Sequence, residues 1–400
     1  MVSKSSLGIL LILFSITFIP SFIYVSFHTN SLATGFILLI PIMILISWNE
    51  IELKISIKEI FCISIIVFYT IYITFYWTNK IEYKGIISSL LLVLVFFLAN
   101  QVSNYISKHS TTDEFDKIIK LISTIYLALG IFSIFYKVSF FNYNYYIKSS
   151  FPFSEPSHYA ISCIPFLIYT AINSKTHIAF IYLFSMLLLS LKLPSIIMMV
   201  ATMLTLFIIS LRLKYKLLYY MVSIFSFYFI SNKIIQLDMA NYFTSRLDFS
   251  LKNTNMTTLV YIQGWNDLLT NLIKTNGIGL GFQQMGTGET NELNEYIFSL
   301  SGKYKNISDG SFLASKLVSE FGIIGIILLL AFVKLAMKCL FDITMAFKKN
   351  INDSVYLFSR VSIISFSVEL FLRGVGYFSS SVVIFLISVS LLGREKWKQL

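Results

Sequence analysis

The feature that most constrains this chain is a succession of apolar runs, most of them about as long as a membrane crossing. A transmembrane helix needs about 20 mostly apolar residues to span the hydrocarbon core of a bilayer. The sequence predicts twelve such segments, separated by polar stretches. They lie near residues 7–27, 32–48, 57–77, 83–99, 118–137, 157–173, 177–191, 193–211, 215–230, 312–337, 355–372 and 377–392.

The composition excludes soluble and disordered proteins. Hydrophobic residues make up 56% of the 400 residues and charged residues only 13%, about half of the roughly 25% usual in a soluble domain. Disordered chains show the opposite bias, because they are poor in apolar residues and rich in charge. The expected fold class is therefore an all-α, polytopic transmembrane bundle of about 12 spans.

The basic residues predict the orientation of the bundle, because Lys and Arg are enriched in the cytoplasmic loops of membrane proteins. If the N-terminus is inside, the inside segments carry 15 Lys and Arg, and the short outside loops carry about six. Both termini are therefore expected in the cytoplasm. The formal net charge of +11 then reflects topology, which argues against nucleic acid as a partner.

One long stretch, residues 231–311, lacks a spanning run and is expected to form a large extracytoplasmic loop. Apolar residues recur at three- to four-residue spacing from Leu259 to Ile273, which predicts an amphipathic helix. The segment from Glu292 to Leu300 is a second candidate helix. The expected organisation is transmembrane helices one to nine in residues 1–230, the loop in residues 231–311, and the last three transmembrane helices with a cytoplasmic tail in residues 312–400.

The most informative polar stretch is Phe153–Ala160, which is expected outside the membrane at the start of a spanning helix. A purely structural interpretation exists: Ser154 caps the helix, Pro156 fits its first turn, and Glu155 lies near its positive end. His158 adds nothing that a cap requires. Glu155 and His158 are therefore candidates for function as well as for capping.

Five further charged residues are expected near the same side of the membrane. Arg246 lies in the large loop, and the planar fork of an arginine binds phosphate in bidentate fashion. Lys316 and Glu320 are four residues apart where the loop re-enters the membrane, and Glu369 and Arg373 are four apart near the end of the eleventh span. A simple ion pair within each helix is the structural alternative.

Several short motifs occur in an order that resembles a known family. They are Ser154–His158 at a helix start, the large late loop, Gly277–Gly281, the re-entry segment Glu320–Gly325, and Arg373–Tyr377. In this order they resemble the bacterial O-antigen polymerases, the Wzy type of polysaccharide repeat-unit polymerase. The resemblance covers residues 153 to 377, over half of the chain.

The resemblance implies a GT-C-like fold, similar to that of the O-antigen ligases, in the bacterial cytoplasmic (inner) membrane. The implied activity is glycosyl transfer at the periplasmic face, between undecaprenyl-diphosphate-linked oligosaccharide repeat units. Neither a metal ion nor a cofactor is expected. Expected partners are the lipid-linked oligosaccharide and membrane lipids, with a chain-length regulator as a further candidate.

The chemistry that the family performs assigns expected roles to the polar residues. Glu155, His158 or Asp309 could accept the proton of the attacking hydroxyl group, while Arg246 and Arg373 could stabilise the leaving diphosphate. Residues expected to bind the substrate are Lys316, Glu320, Glu369, Tyr377 and Gly279.

Three alternatives remain open at this point. O-antigen ligases usually carry an Arg early in the large loop, which Arg246 matches, and a His before the re-entry helix, where this chain has Asp309 and no His. A lipid-linked oligosaccharide flippase should show an internal repeat and charges along the middle of its spans. A structural or signalling membrane protein would leave the charged residues of the outer side unexplained.

Overall fold

The part of the chain described by the computed structural model is 78% helical and contains no β-strand. It comprises residues 4–47, 64, 67–73, 75–76, 83–146, 149–193, 195–212, 239–249, 254–287 and 290–398. The α-helices are α1 (Lys4–Ser26), α2 (Ala33–Ser47), α3 (Tyr83–His109), α4 (Thr112–Phe135), α5 (Pro156–Ile172), α6 (Thr176–Lys192), α7 (Ile196–Arg212), α8 (Met239–Leu247), α9 (Met256–Lys274), α10 (Glu292–Ser301), α11 (Leu313–Lys349), α12 (Ser354–Phe371) and α13 (Ser380–Lys398).

Among these helices, five are long and apolar enough to cross a membrane, namely α1, α3, α4, α11 and α12. Helices α2, α6, α7 and α13 are shorter but also apolar. The expected spans near 57–77 and 215–230 fall mainly or wholly outside the described residues, and each of the other ten coincides with a described helix. The chain thus carries the helices of a membrane protein, while the count of twelve spans stays a prediction.

Helices α5 and α12 form the centre of the bundle. Every residue of α5 from Tyr159 to Ile172 is buried, and α12 is buried along most of its length. Helix α5 is mostly apolar on all sides, as a helix enclosed by others requires. Helix α12 also buries polar side chains, including Arg360 and Glu369. The two helices pack against each other. The first turn of α5 and the residues that directly follow α12 contribute to the candidate site described below.

Several hydroxyl groups inside the bundle form hydrogen bonds with neighbouring helices. The Tyr126 and Ser162 hydroxyls are 2.6 Å apart, and the Tyr159 hydroxyl donates to the Tyr126 carbonyl oxygen at 2.8 Å. The Ser123 and Thr170 hydroxyls are 2.7 Å apart. Because no water competes in an apolar interior, such bonds fix the register of α4 against α5, and each contributes on the order of 0.6 kcal/mol.

Helix α11 presents a row of large aliphatic side chains outward. Ile323, Ile327 and Leu330 are each more than half exposed. A contiguous apolar surface of this kind is unfavourable in water and marks contact with lipid or with another apolar partner. The row therefore supports the assignment of α11 as a membrane-facing helix.

The region between the spans is folded where the structure describes it. Helix α9 lies where the apolar spacing predicts an amphipathic helix, and α10 lies at the second predicted segment. Helix α9 packs closely on the start of α11: the Ser311 hydroxyl donates to the Val260 carbonyl oxygen, and the Ser315 hydroxyl donates to that of Gly264, both at 2.5 Å. The packing places α9 against the end of the bundle.

A glycine-rich segment after α9 fits into a kink of α11. Gly322 has a left-handed backbone (φ 57°, ψ −131°) that interrupts the helix. The Gly281 N–H donates to the Glu320 carbonyl oxygen at 2.9 Å, and the Ile323 N–H donates to that of Gly277 at 2.8 Å. Gly279 (φ +93°) lies so close that an added Cβ would be 2.5 Å from the Glu320 carbonyl oxygen. Its lack of a side chain therefore permits this packing.

This contact predicts a large difference between two glycine substitutions. We expect Gly279→Ala to destabilise the protein by about 3 kcal/mol or more, because backbone strain and steric overlap each cost about 1–3 kcal/mol. Gly302 also has a positive φ (+68°), but an added Cβ would have no atom within 4 Å, so Gly302→Ala should cost only about 1 kcal/mol. Thermal unfolding of the detergent-solubilised protein measures both. Equal effects would contradict the packing described for Gly279.

Candidate functional site

A cavity of about 880 Å³ brings together three of the residues predicted to be catalytic, Glu155, Arg246 and Arg373. Glu155 immediately precedes α5, Arg246 lies in the last turn of α8, and Arg373 follows the end of α12. The three residues are far apart in the sequence and meet only through the fold. We refer to this space as the charged cavity.

An ion pair links two of these residues across the charged cavity. A guanidinium nitrogen of Arg373 lies 3.4 Å from Oε2 of Glu155, which also accepts a hydrogen bond from the Ser157 hydroxyl at 2.9 Å. The side chain of Arg373 is 24% exposed and that of Glu155 is 48% exposed, so the pair contributes only about 0–1 kcal/mol. A stronger anionic partner can therefore displace Glu155 from Arg373 at little cost.

The ion pair between Glu369 and Arg373, the structural alternative to a functional role, is not formed. Helix α12 ends at Phe371, so Arg373 is no longer one helical turn above Glu369 and turns toward Glu155 instead. Glu369 is buried and accepts a hydrogen bond from the Ser379 hydroxyl at 2.9 Å. It ties the end of α12 to the start of α13, and so supports the segment that carries Arg373.

The electrostatic environment keeps Glu155 ionised. Burial opposes ionisation, but the neighbouring His158 and Arg373 outweigh it and hold the pKa of Glu155 below its ordinary value. Burial and the charge of Arg373 lower the pKa of Arg246, and Glu155 opposes this effect. The charged cavity therefore contains a carboxylate and two guanidinium groups whose charges influence one another.

The predicted cap of α5 is wrong in one detail. Glu155, with extended backbone, occupies the capping position, and Pro156 begins the helix as predicted. The Ser154 hydroxyl instead lies 3.0 Å from Nδ1 of His158, one turn into the helix. Ser154 lines the charged cavity, whereas His158 is absent from the described lining. Ser154 therefore holds the imidazole ring rather than the helix end.

A second group of predicted residues forms a buried cluster beside the charged cavity. It consists of Asp309, Lys316, Glu320 and Tyr377, and we refer to it as the Lys316 cluster. The Lys316 ammonium lies 3.8 Å from Asp309 and 4.0 Å from Glu320, and the Tyr377 hydroxyl donates to Glu320 at 2.9 Å. Asp309 is exposed at its edge, while the other three are buried, and the described lining of the charged cavity includes none of the four.

The Lys316 cluster connects three separate segments of the chain. Lys316 also donates to the Ser308 carbonyl oxygen at 3.0 Å and stands over the Tyr377 ring at 5.5 Å. The Gly374 N–H donates to the Ser311 carbonyl oxygen at 3.0 Å. Together these bonds fix the segment that follows α12, on which Arg373 lies, against the start of α11. The cluster thus sets the position of Arg373 without lining the charged cavity.

The first turns of three helices also line the charged cavity. They belong to α5, α7 and α9, and they contribute Ser157, Ile196 and Thr257 to its wall. A helix N-terminus carries a partial positive charge of about half a unit. The wall therefore favours an anion more strongly than the two arginines alone would. No helix-capping signal in the sequence indicates that these three starts converge, because the convergence depends on tertiary packing.

Lys305 is a cationic residue of the lining that the sequence patterns do not single out. It lies in the irregular segment between α10 and α11, among other polar residues. As to metal ions, the described residues contain no group of three or more His, Cys, Asp or Glu side chains that could hold one.

Comparisons with known proteins identify no relative: no family model matches the sequence, and no curated protein or solved structure matches the chain. The assignment of function therefore depends on the residues of the site and on the motifs that resemble O-antigen polymerases.

The Lys316 cluster predicts a stability effect that separates a structural role from a ligand-binding role. We expect Lys316→Met to destabilise the protein by about 3–5 kcal/mol, because it leaves the Glu320 carboxylate buried and unpaired. Adding Glu320→Gln should restore a large part of that loss, since the buried charge is then removed. Thermal unfolding in detergent measures both variants. A Lys316→Met protein that is as stable as the wild type would show that Lys316 is not required for the fold.

Proposed function

We propose that this chain is a repeat-unit polymerase that joins lipid-linked oligosaccharides by glycosyl transfer at the membrane face next to the charged cavity. The observation that supports it best is the meeting of Glu155, Arg246 and Arg373 in one cavity at the end of a bundle of apolar helices. In metal-independent transfer from a diphosphate donor, a carboxylate can accept the proton of the attacking hydroxyl group and guanidinium groups can stabilise the leaving diphosphate. The cavity combines both kinds of group.

The two arginines suit the leaving group. As the bond between the sugar and the diphosphate breaks, negative charge accumulates on the diphosphate oxygens, and preorganised cations stabilise that charge. Arg246 and Arg373 lie in the same wall, and the first turns of three helices add further positive potential. Because the ion pair between Arg373 and Glu155 is weak, the incoming diphosphate can replace Glu155 as the partner of Arg373.

The same exchange prepares Glu155 to act as a base. With Arg373 beside it, the pKa of Glu155 is low, and a carboxylate of low pKa removes protons poorly. A bound diphosphate withdraws the positive charge of Arg373 and adds negative charge nearby, and both effects raise the pKa of Glu155. Glu155 then accepts the proton of the acceptor hydroxyl group as that oxygen attacks the anomeric carbon.

The remaining lining suits an amphiphilic substrate. Ile196, Ile197 and Val200 form an apolar wall on α7, and Tyr261 lines the side formed by α9. A lipid-linked sugar has a polar head and a hydrocarbon tail, so it requires both kinds of surface in one site. The charged groups would hold the diphosphate, and the apolar wall would contact the beginning of the polyprenyl chain.

The proposal predicts that Glu155→Gln, Arg246→Ala and Arg373→Ala remain in the membrane but fail to elongate polysaccharide. A positioned base is typically worth a factor of about 10²–10⁴ in rate, so elongation should fall by at least about 100-fold. The assay is complementation of a gene-deletion strain, with polysaccharide length resolved on gels. Lys303→Ala changes an exposed cation of the same region outside the described lining, so it should keep the wild-type ladder.

The deletion strain itself separates the polymerase from the alternatives. Loss of a polymerase leaves surface lipid decorated with a single repeat unit. Loss of a ligase leaves polymer that is not attached to the lipid core, and loss of a flippase leaves no decoration. Wild-type ladders from all three cavity variants would contradict the site assignment, whatever the deletion shows.

A further inference from the structure

The wall of the charged cavity includes part of the irregular segment between α10 and α11. Lys305 lies in this segment, a few residues after the Gly302 that ends α10. A lysine in a polar loop is ordinarily a mobile surface group with a compact and strongly hydrated charge. Two features of its surroundings distinguish Lys305 from that ordinary case.

The first feature is a buried polar network that fixes the backbone at Lys305. Gln263 of α9, which is 1% exposed, donates from its side-chain amide to the Lys305 carbonyl oxygen at 3.0 Å. One turn further along α9, the buried Asp267 accepts from the side-chain amides of Asn291 and Asn294 at 2.6 and 3.5 Å. The network thereby links α9 to the beginning of α10 and to the segment beyond its end.

Such a network opposes folding unless its hydrogen bonds compensate for the burial of its polar groups. Burial raises the pKa of Asp267, because desolvation disfavours the charged carboxylate, and the hydrogen bonds from Asn291 and Asn294 oppose that rise. The hydrogen-bond network therefore fixes the position of the segment that follows α10. A side chain whose backbone is held in place loses less conformational entropy when it binds a ligand.

The second feature is the charge of Lys305 itself. Slight burial and the neighbouring Lys303 lower its pKa. No carboxylate of the described residues forms an ion pair with it. Among the described residues of the lining, three cations (Arg246, Arg373 and Lys305) stand against one carboxylate (Glu155), which leaves these residues an excess of two positive charges.

We propose that Lys305 is a third phosphate-binding cation of the charged cavity and that it contacts the diphosphate of the lipid-linked substrate together with Arg246 and Arg373. This inference rests on the proposed function. A diphosphate esterified at both ends carries one negative charge on each phosphate, which matches the excess charge of the described lining residues. The compact ammonium group of Lys305 complements the bidentate arginines as a point charge.

The test measures diphosphate binding separately from catalysis. Full-length protein in detergent is titrated with inorganic diphosphate, and binding is followed by calorimetry. We expect Lys305→Gln to weaken binding by about tenfold or more, because a charge-assisted hydrogen bond is lost. Lys305→Arg should stay within about threefold of the wild type. Lys303→Gln, the matched control two residues away, should bind like the wild type. Unchanged affinity of Lys305→Gln would overturn the proposal.

The pH dependence of the diphosphate affinity separates a binding role of Lys305 from a structural one. If the ammonium of Lys305 contacts the phosphate, wild-type affinity falls as pH rises through its lowered pKa. In Lys305→Arg that alkaline decline should move to higher pH, because a guanidinium group stays protonated. An alkaline limb that is identical in the two proteins would contradict contact with phosphate.

A competition arm identifies the source of the phosphate. Polyprenyl diphosphate in phosphatidylcholine nanodiscs should compete with inorganic diphosphate, and nanodiscs without it should not. Lack of competition would overturn the lipid-linked assignment.

Two outcomes distinguish failure of this inference from failure of the proposed function. Wild-type protein that binds diphosphate and polymerises, with Lys305→Gln unaffected, would refute only the role of Lys305. Wild-type protein that neither binds diphosphate nor polymerises would refute the proposed function itself.

Discussion

The buried contact of Lys316 with Glu320 and Tyr377 is the interaction on which the candidate site depends. Two opposite charges inside an apolar bundle are tolerated only when each has partners, because an unpaired buried charge costs several kcal/mol. Here the partners come from different segments, so satisfying the charges also brings the segments together. The start of α11, the segment after α12 and the glycine-rich segment after α9 meet at this point. The contacts among these three segments fix the position of Arg373.

The charged residues of this region fall into two groups that differ in burial and in the strength of their pairing. Lys316 and Glu320 are buried, and their removal should weaken the fold. Glu155 and Arg373 are partly exposed and weakly paired, so they can exchange partners when an anion arrives. A site needs both groups, since rigid support fixes the geometry while weak pairs leave the functional charges available to a ligand.

Much of this organisation is predictable from the sequence where the signal is local. The three- to four-residue spacing of apolar side chains predicts α9, and the run of apolar segments predicts an all-helical bundle. Long-range pairing leaves no such signal. The four-residue spacing of Glu369 and Arg373 favours an ion pair within one helix, but α12 ends before Arg373, which pairs with Glu155 instead. Lys305 is undetectable in the sequence because its importance comes from the wall that it shares with distant residues.

The central claim is that the charged cavity binds the diphosphate of a lipid-linked oligosaccharide. Its most direct test is an electron cryomicroscopy structure of the Glu155→Gln protein with an undecaprenyl-diphosphate-linked repeat unit, compared with the same protein without ligand. We expect diphosphate density in the charged cavity, with phosphate oxygens about 3 Å from guanidinium nitrogens of Arg246 and Arg373, as in charge-assisted hydrogen bonds. Ligand density at another face of the bundle, with the charged cavity unchanged, would contradict the claim.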